Sequence, residues 1–206
     1  MVIVSGNEPA RGAQRAWGKD DWRAHVLSAR KALSAEEHQR EAEQLATAVV
    51  DVAAGHGTGT VACYVPFDTE PGSLDLVDGL RDLGVRVLLP VVPKKRAPLL
   101  WTVYEGHDSL AEGPLPGLLE PAGDRLPPET IAEAGVIFVP ALAVDSRGVR
   151  LGRGAGYYDR SLPLVDPDAD LVGVVRDDEF VPYLPDEPHD ARLTSVLTPR
   201  AGYRRL

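Results

Sequence analysis

The sequence is short of cysteine, with Cys63 as the single thiol among 206 residues. One cysteine excludes an intrachain disulfide and any metal site built from several thiolates. Cys63 lies inside the apolar run TVACYV, which favours a small buried side chain over a nucleophile. No apolar run approaches the roughly 20 residues of a membrane span, and the N-terminal run is too short for the core of a signal peptide. We therefore expect a cytoplasmic protein with no membrane partner.

An excess of positive charge is also missing. Lysine and arginine number 22 against 31 aspartate and glutamate residues, which gives a formal net charge of −9. A non-specific nucleic-acid binder needs a basic face to neutralise phosphates, so this composition argues against a nucleic-acid partner. The length suits one well-buried domain. We predict a flexible N-terminal arm over residues 1–16 and a single α/β domain over residues 17–206.

Two helices are predicted before the first strand. From Lys19, in KDDWRAHVLSARKAL, apolar residues recur at three- and four-residue steps and would share one helix face. Ser34 followed by Glu37 three residues later is typical of a capping box, which predicts the start of a second helix.

Short apolar runs that are rich in β-forming residues predict buried strands in the rest of the chain. A helical pattern that ends at Gly84 separates the first two runs, so they form a strand, helix, strand unit that is expected to be parallel and right-handed. The predicted fold is a three-layer αβα domain with a mostly parallel central sheet and helices on both faces. The predicted strands are TVACYVP (60–66), VRVLLPVV (85–92), LLWTVY (99–104), GVIFVP (135–140), DLVGVV (170–175) and TSVLT (194–198).

The segment DSRGVRLGRGAGYYDR (145–160) combines four glycines with four arginines. Glycine lets main-chain N–H groups approach a ligand, and arginine donors fit phosphate or carboxylate oxygens. The segment follows a predicted strand that ends at Pro140, where open α/β sheets bind ligands, and GYYDR is predicted to begin a helix. A helix N-terminus favours an anion by roughly 0.3–1 kcal/mol. The loop matches neither a Walker sequence nor a dinucleotide fingerprint, so a structural turn with surface arginines stays an alternative to an anion site.

The same residues carry a family resemblance. VPALAVDSRGVRLGRGAGYYDR closely resembles the signature of 5-formyltetrahydrofolate cyclo-ligases, also called methenyltetrahydrofolate synthetases. The resemblance extends over roughly residues 19–199 and implies a fold near the sugar-phosphate isomerase and CoA-transferase type of three-layer sandwich. Further stretches similar to the family follow in order: KDDWR (19–23), the segment from Tyr64 to Val92, GPLPGLLEP (113–121) and PDEPHD (185–190).

The resemblance implies conversion of 5-formyltetrahydrofolate to 5,10-methenyltetrahydrofolate, with ATP as co-substrate and Mg²⁺ as cofactor. Transfer of the γ-phosphoryl group to the formyl oxygen would make that oxygen a good leaving group, after which N10 closes the ring and expels phosphate. The partners would be these small molecules, and the chain would be a monomer or weak homodimer. The alternatives are a diverged ATP-dependent homologue that acts on another folate or formamide compound, and a non-catalytic nucleotide-binding protein.

The resemblance also implies roles for single residues. Asp159 and Asp190 would hold Mg²⁺, which prefers carboxylate, phosphate and water oxygens. Arg153 and Tyr157 would be catalytic. Lys19 and Arg23 could instead form a solvated helix face. The implied ATP-binding residues are Lys19, Arg23, Arg150, Leu151, Gly152, Arg153, Gly154, Ala155, Gly156, Tyr157 and Tyr158. The implied folate-binding residues are Arg23, Val65, Glu70, Arg153, Gly154, Ala155, Gly156 and Tyr157.

The chain departs from the family pattern at several positions. Ala155 stands where glycine or lysine is frequent, so its methyl group narrows the loop and adds no charge. Thr194 stands where an aspartate is frequent. Neither change removes a residue implied to hold the metal, so these departures do not exclude the predicted activity, while the choice of substrate stays open.

Overall fold

The computed structural model describes residues 17–113, 118–187 and 191–206. The predicted arm over residues 1–16 and the predicted metal ligand Asp190 lie outside the described residues. The assignment of residues 17–206 to one domain, and the likeness to the sugar-phosphate isomerase and CoA-transferase type, stay predictions.

Four α-helices occur in the described chain, and the first two begin where the sequence predicted. The Ser34 side chain accepts a hydrogen bond from the Glu37 main-chain N–H (3.1 Å), as a capping residue does. None of the helices among the described residues is long and apolar enough to span a membrane. The helices are α1 (Lys19–Ala32), α2 (Ala35–His56), α3 (Asp75–Asp82) and α4 (Tyr157–Ser161).

Twelve strands form three sheets in the described chain. The sequence predicted most of the long ones, although the first is only three residues long because the chain leaves the sheet after Ala62. The strands are β1 (Thr60–Ala62), β2 (Arg86–Val91), β3 (Leu100–Val103), β4 (Leu110–Glu112), β5 (Leu119–Pro121), β6 (Val136–Pro140), β7 (Ala143–Asp145), β8 (Arg150–Leu151), β9 (Asp170–Val174), β10 (Phe180–Val181), β11 (Ser195–Thr198) and β12 (Gly202–Arg205).

The central sheet has seven strands in the order β3-β2-β1-β6-β9-β11-β12. Strands β2, β1, β6, β9 and β11 are mutually parallel, and the two edge strands are antiparallel, which confirms the predicted mostly parallel sheet. From β1 the chain runs outward to β2 and β3, and it then returns to β6 on the other side of β1. The strand order therefore reverses between β1 and β6, which is where an open α/β sheet binds its ligands.

Different kinds of structure cover the two faces of the sheet. On one face, Leu45 and Val49 of α2 and Leu80 of α3 are fully buried against the strands. The other face is covered by α4 and by short 3₁₀ helices, including Pro128–Glu133 and Leu162–Leu164, whereas the predicted fold had helices on both faces. Pro163 follows α4 and lacks the N–H that would continue the helix, so α4 ends at Ser161.

A small sheet of strands β10, β7 and β8, which the sequence analysis missed, connects the central sheet to α1. Val26 of α1 packs in a cluster with Leu142, Leu151 and Leu184. The buried carboxylate of Asp145 accepts hydrogen bonds from the main-chain N–H groups of Arg147 (2.8 Å), Val149 (3.0 Å) and Leu184 (3.0 Å). The same carboxylate pairs with the Arg147 guanidinium (2.8 Å), so Asp145 fixes the turn that leads into the glycine-rich segment.

The Asp145→Asn variant tests this anchor. Burial opposes ionisation of Asp145, but the hydrogen bonds from Leu184, Arg147 and Val149 outweigh it and hold the carboxyl pKa below its ordinary value of 3.8. At neutral pH we expect Asp145→Asn to lower the free energy of unfolding by about 2 kcal/mol, because a charge-assisted acceptor is lost. The wild-type chain loses this stabilisation as the pH falls through the lowered pKa, so the two proteins should converge in acid.

Urea unfolding between neutral pH and about pH 3 measures the difference. Asp51→Asn, at an exposed position on α2, is the control and should change the free energy of unfolding by less than about 0.5 kcal/mol. A deficit in Asp145→Asn that is the same at every pH would contradict the assigned role.

Candidate functional site

A cavity of about 230 Å³ opens where the strand order reverses. Its walls come from the chain after β1 (Tyr64, Val65), the chain after β6 (Ala141, Leu142) and residues 152–159, with Leu119 and Glu120 of β5 completing it. This volume is slightly smaller than that of typical small-molecule pockets, which range upward from roughly 300 Å³. We therefore expect the cavity to hold one ring system of a ligand, with the remainder at its open rim.

The glycine-rich segment lines the cavity with bare main chain. Gly154 (φ 98°) and Gly156 (φ 70°) adopt left-handed conformations that disfavour other residues, and Gly156 directly precedes α4. Within the described part of the chain, no main-chain N–H from Gly152 to Gly156 donates a hydrogen bond. Unpaired N–H groups next to a cavity are typical of an anion site.

The α1 cations lie beside this segment. Arg23 donates a hydrogen bond from Nε to the Gly152 carbonyl oxygen (3.0 Å), and its guanidinium also pairs with Asp20. Lys19, one turn earlier on the same helix, pairs with Glu187 (3.1 Å). The structure thus brings Arg23 to the glycine segment, although neither Arg23 nor Lys19 is among the residues that line the cavity, and their predicted phosphate contacts stay predictions.

The two arginines of the segment differ in their surroundings. The Arg150 side chain is only 6% exposed and pairs with Asp159 (2.5 Å), so its charge is already compensated inside the protein. Arg153 is more exposed and reaches across to the loop after β1, with Nε 3.2 Å from Glu70 Oε1 and Nη2 3.5 Å from Asp68. The glycine segment and the loop that carries Glu70 are therefore joined by Arg153.

Glu70 is a partly desolvated carboxylate that uses both of its oxygens. Oε1 accepts from Arg153 and Oε2 accepts from the main-chain N–H of Phe67 (3.1 Å). Burial raises the pKa of Glu70 above its ordinary value of 4.5, although Arg153, the Phe67 N–H and Arg30 act in the opposite direction. The Tyr64 hydroxyl donates to the Pro71 carbonyl oxygen (2.7 Å), which holds the far end of the same loop.

Apolar and aromatic side chains form much of the cavity wall. Val65, Tyr157 and Tyr158, which were predicted to bind ligands, line it, and burial raises the pKa of Tyr158 well above its ordinary value of 10.0, so the phenol stays protonated. The Leu151 side chain is buried against Leu142 and away from the cavity. Only the main chain of Leu151 could therefore contact a ligand.

Asp159 is the one predicted metal ligand among the described residues, and it lines the cavity. One of its oxygens pairs with Arg150, and the other accepts no hydrogen bond from the described residues. No group of three or more His, Cys, Asp or Glu residues within the described ranges could hold a metal ion. A magnesium ion often uses only one or two carboxylates together with phosphate and water oxygens, so this donor set fits it.

Several residues at the site were missed by sequence reasoning. Arg160 donates to the Ala155 carbonyl oxygen (3.0 Å) and so supports the glycine segment from α4. Tyr64 and Phe67 line the cavity beside Val65, and Glu120 lines it from β5. Proximity to Val65 in the sequence could have pointed to Tyr64 and Phe67, whereas no local pattern pointed to Glu120.

Comparison with known proteins gives consistent findings. The family model described as the 5-formyltetrahydrofolate cyclo-ligase family matches residues 15–199. A 5-formyltetrahydrofolate cyclo-ligase of Mycolicibacterium smegmatis is 52% identical over 147 residues, covering 69% of this chain and 75% of the relative. That of Escherichia coli K12 is 33% identical, covering 84% of this chain and 96% of the relative. The NMR structure of Aquifex aeolicus 5,10-methenyltetrahydrofolate synthetase superposes with a TM-score of 0.75 at 30% identity, covering 91% and 92% of the two chains.

The reactivity of Cys63, which directly follows β1, tests whether this part of the core is inaccessible to solvent and reagents. Burial raises the pKa of its thiol to about 12. Because the thiolate is the reactive form, we expect the folded protein to react with Ellman's reagent near pH 8 at least about a hundredfold more slowly than the unfolded chain. The rate is followed by absorbance with and without guanidinium chloride. Rapid labelling of the native protein would contradict a buried, non-nucleophilic Cys63.

Proposed function

The chain belongs to the 5-formyltetrahydrofolate cyclo-ligase family, and we propose that it converts 5-formyltetrahydrofolate to 5,10-methenyltetrahydrofolate while ATP is consumed and ADP and phosphate are released. One observation carries the proposal. The amides of residues 152–156, which are unpaired within the described chain, and the Glu70 loop line one cavity at the reversal of strand order, and Arg153 joins them. The glycine segment, which would bind the phosphates of ATP, and the Glu70 loop, which would bind the folate, thus lie in the same cavity. Such an arrangement would allow a phosphoryl group to pass from one substrate to the other.

The triphosphate would lie on the glycine segment. Main-chain N–H groups from Gly152 to Gly156 would donate to its oxygens, with the Arg23 guanidinium beside them. Arg153 is exposed enough to exchange Glu70 for a phosphate oxygen, whereas Arg150 would keep Asp159 in place. Fixed donors of this kind act mainly by positioning and by stabilising the charge of the transferring group.

The folate head would enter the cavity between Val65, Phe67 and Tyr157. Transfer of the γ-phosphoryl group breaks its bond to the ADP oxygen and forms one to the formyl oxygen. N10 then attacks the formyl carbon and loses its proton, and the carbon–oxygen bond breaks with release of phosphate. In this scheme Arg153 stabilises charge on the transferring group, and Tyr157, whose ring lies under the Arg160 guanidinium (5.3 Å), orients the folate.

Asp159 would hold Mg²⁺ through the oxygen that Arg150 leaves free, together with Asp190. The ion would supply charge neutralisation on phosphate oxygens. The fit is supported by the position of Asp159 on the cavity wall, next to the glycine segment.

The remaining expectations follow from this function. The partners would be ATP and the folate, with no nucleic acid or membrane, and the chain would act as a monomer or weak homodimer. A cytoplasmic location is supported by the single, buried and unpaired Cys63.

The Arg153→Ala variant tests the bridging role. Mixing protein, Mg²⁺, ATP and 5-formyltetrahydrofolate should give an ATP-dependent rise in the absorbance of the methenyl product. Removing the guanidinium should lower kcat/KM by about 10²-fold, because a positioned donor to the transferring group is lost. Arg153→Lys should recover only part of the rate, since lysine lacks the planar fork.

Arg86→Ala is the matched control, because Arg86 also pairs with a glutamate, Glu133, but does not line the cavity. It should leave kcat/KM within about twofold, as expected for a surface pair. Nucleotide binding without any turnover by the wild-type protein would favour a non-catalytic nucleotide-binding protein. Turnover of another formamide compound, but not of 5-formyltetrahydrofolate, would favour a diverged homologue.

The metal assignment predicts a second outcome. A chelator should abolish turnover, and added Mg²⁺ should restore it. Asp159→Asn should raise the Mg²⁺ concentration needed for half-maximal rate by roughly 10–100-fold, because a neutral amide is a much weaker ligand. Asp82→Asn, which also removes an arginine-paired aspartate but lies away from the cavity, should leave the Mg²⁺ dependence unchanged. Equal Mg²⁺ dependence in wild type and Asp159→Asn would remove Asp159 from the proposed site.

A further inference from the structure

One wall of the cavity has no role in the function proposed above. It consists of apolar residues of strand β2 and the chain after it, including Pro90, Val92 and Leu99, together with Leu119 and Glu120 of β5. Glu120 is the single charged residue among them. Its side chain therefore introduces a carboxylate into an otherwise apolar part of the cavity.

Glu120 is buried and fixed in place. The residue is 8% exposed, and its Oε1 accepts a hydrogen bond from the main-chain N–H of Val92 (3.0 Å). Gly113 lies against its side chain so closely that a Cβ atom there would be 3.0 Å from Glu120 Cγ. The carboxylate is thus held by both the β2 end and the β4 end of the wall.

The second oxygen of Glu120 has no partner within the described ranges. Oε2 accepts no hydrogen bond there, and the carboxylate forms no ion pair with lysine, arginine or histidine. Oε2 is not among the buried unpaired side-chain atoms found in the described chain, so its free capacity faces the cavity that Glu120 lines. An open acceptor of this kind that also lines a cavity indicates a ligand that brings its own N–H donors.

Glu70 does not meet this description, although it lines the same cavity. Arg153 and the Phe67 N–H already occupy both of its oxygens. While Arg153 is paired with Glu70, both Glu70 oxygens are therefore engaged, whereas Glu120 has one oxygen available to a ligand within the described chain.

We propose that Glu120 recognises the 2-amino-4-oxopyrimidine edge of the folate, accepting hydrogen bonds from the 2-amino group and the neighbouring ring N–H. The inference rests on the proposed function and specifies which group of this site selects the substrate. That edge carries adjacent donors, which a carboxylate can bind, and the apolar residues around Glu120 suit the faces of a flat ring. Because the formyl-bearing nitrogen lies on the other ring, this anchoring leaves the formyl group toward the mouth of the cavity.

The test compares two ligands in wild type and Glu120→Gln. The ligands are 5-formyltetrahydrofolate and its analogue with methyl in place of the 2-amino group, and dissociation constants are measured by calorimetry alongside KM and kcat. In Glu120→Gln the amide oxygen can still accept from Val92, but the open acceptor is replaced by an N–H donor. We expect the variant to bind 5-formyltetrahydrofolate roughly 10–100-fold more weakly and the analogue less than about threefold more weakly, with KM for ATP unchanged.

Glu112→Gln on the neighbouring strand β4 is the control, because its side chain is exposed, and it should bind both ligands as wild type does. Thermal unfolding shows whether each variant is folded. If Glu120→Gln does not fold, Glu120→Asp replaces it, since that change keeps the charge while withdrawing the carboxylate by one methylene. It should produce the same loss of discrimination to a smaller degree.

The outcomes separate this inference from the proposed function. Wild-type turnover with equal effects of Glu120→Gln on both ligands, or with no effect, overturns the role of Glu120 and leaves the cyclo-ligase function standing. Glu120-dependent discrimination without turnover supports the pterin contact and overturns the proposed reaction. Wild-type protein that binds neither ligand overturns both.

Discussion

Strands β1 and β6 pair in parallel, with Val61 opposite Val136 and Ala62 opposite Ile137, although they are distant in sequence. The site depends on this pairing. Because β1 and β6 are parallel, the loops that follow them leave the sheet at the same edge. The chain after β1 carries Val65 and Glu70, and the chain after β6 leads through β7 and β8 into the glycine segment. The reversal of strand order leaves a crevice at this edge of the sheet, and the cavity lies in that crevice.

The net charge of −9 is compatible with anionic ligands because local charges dominate. Screening limits the reach of exposed charges to about 8–10 Å at physiological salt, so the arginines around the glycine segment outweigh distant carboxylates. These arginines are already paired, however, Arg150 with Asp159 and Arg153 with Glu70. The difference in exposure indicates which arginine can exchange its carboxylate for a ligand. The buried Arg150 holds Asp159 in place, whereas the more exposed Arg153 can release Glu70 and bind a ligand.

The sequence was informative wherever a pattern was long or a residue type was required by geometry. Periodicity predicted α1 and α2, and continuous apolar runs predicted β6 and β9. The positive φ angles of Gly154 and Gly156 explain why glycine marks the anion segment. The small sheet was missed because strands of two or three residues, such as β8, show no period. Glu120 was missed because its significance comes from contacts with Val92 and Gly113, which only the tertiary fold brings near.

Two carboxylates enter one cavity, and their hydrogen bonds give them different tasks. Glu70 is satisfied within the protein, so its desolvation is offset by Arg153 and the Phe67 N–H, and opening that pair must accompany any new contact made by Arg153. Glu120 keeps one oxygen unpaired within the described chain, and because Glu120 lines the cavity, this oxygen can accept a donor that a ligand brings. A ligand that supplies this donor binds more tightly than one of the same shape that cannot. Under the two proposals, selectivity for the folate head would therefore arise at the apolar wall, while the reacting oxygen would be positioned at the glycine segment.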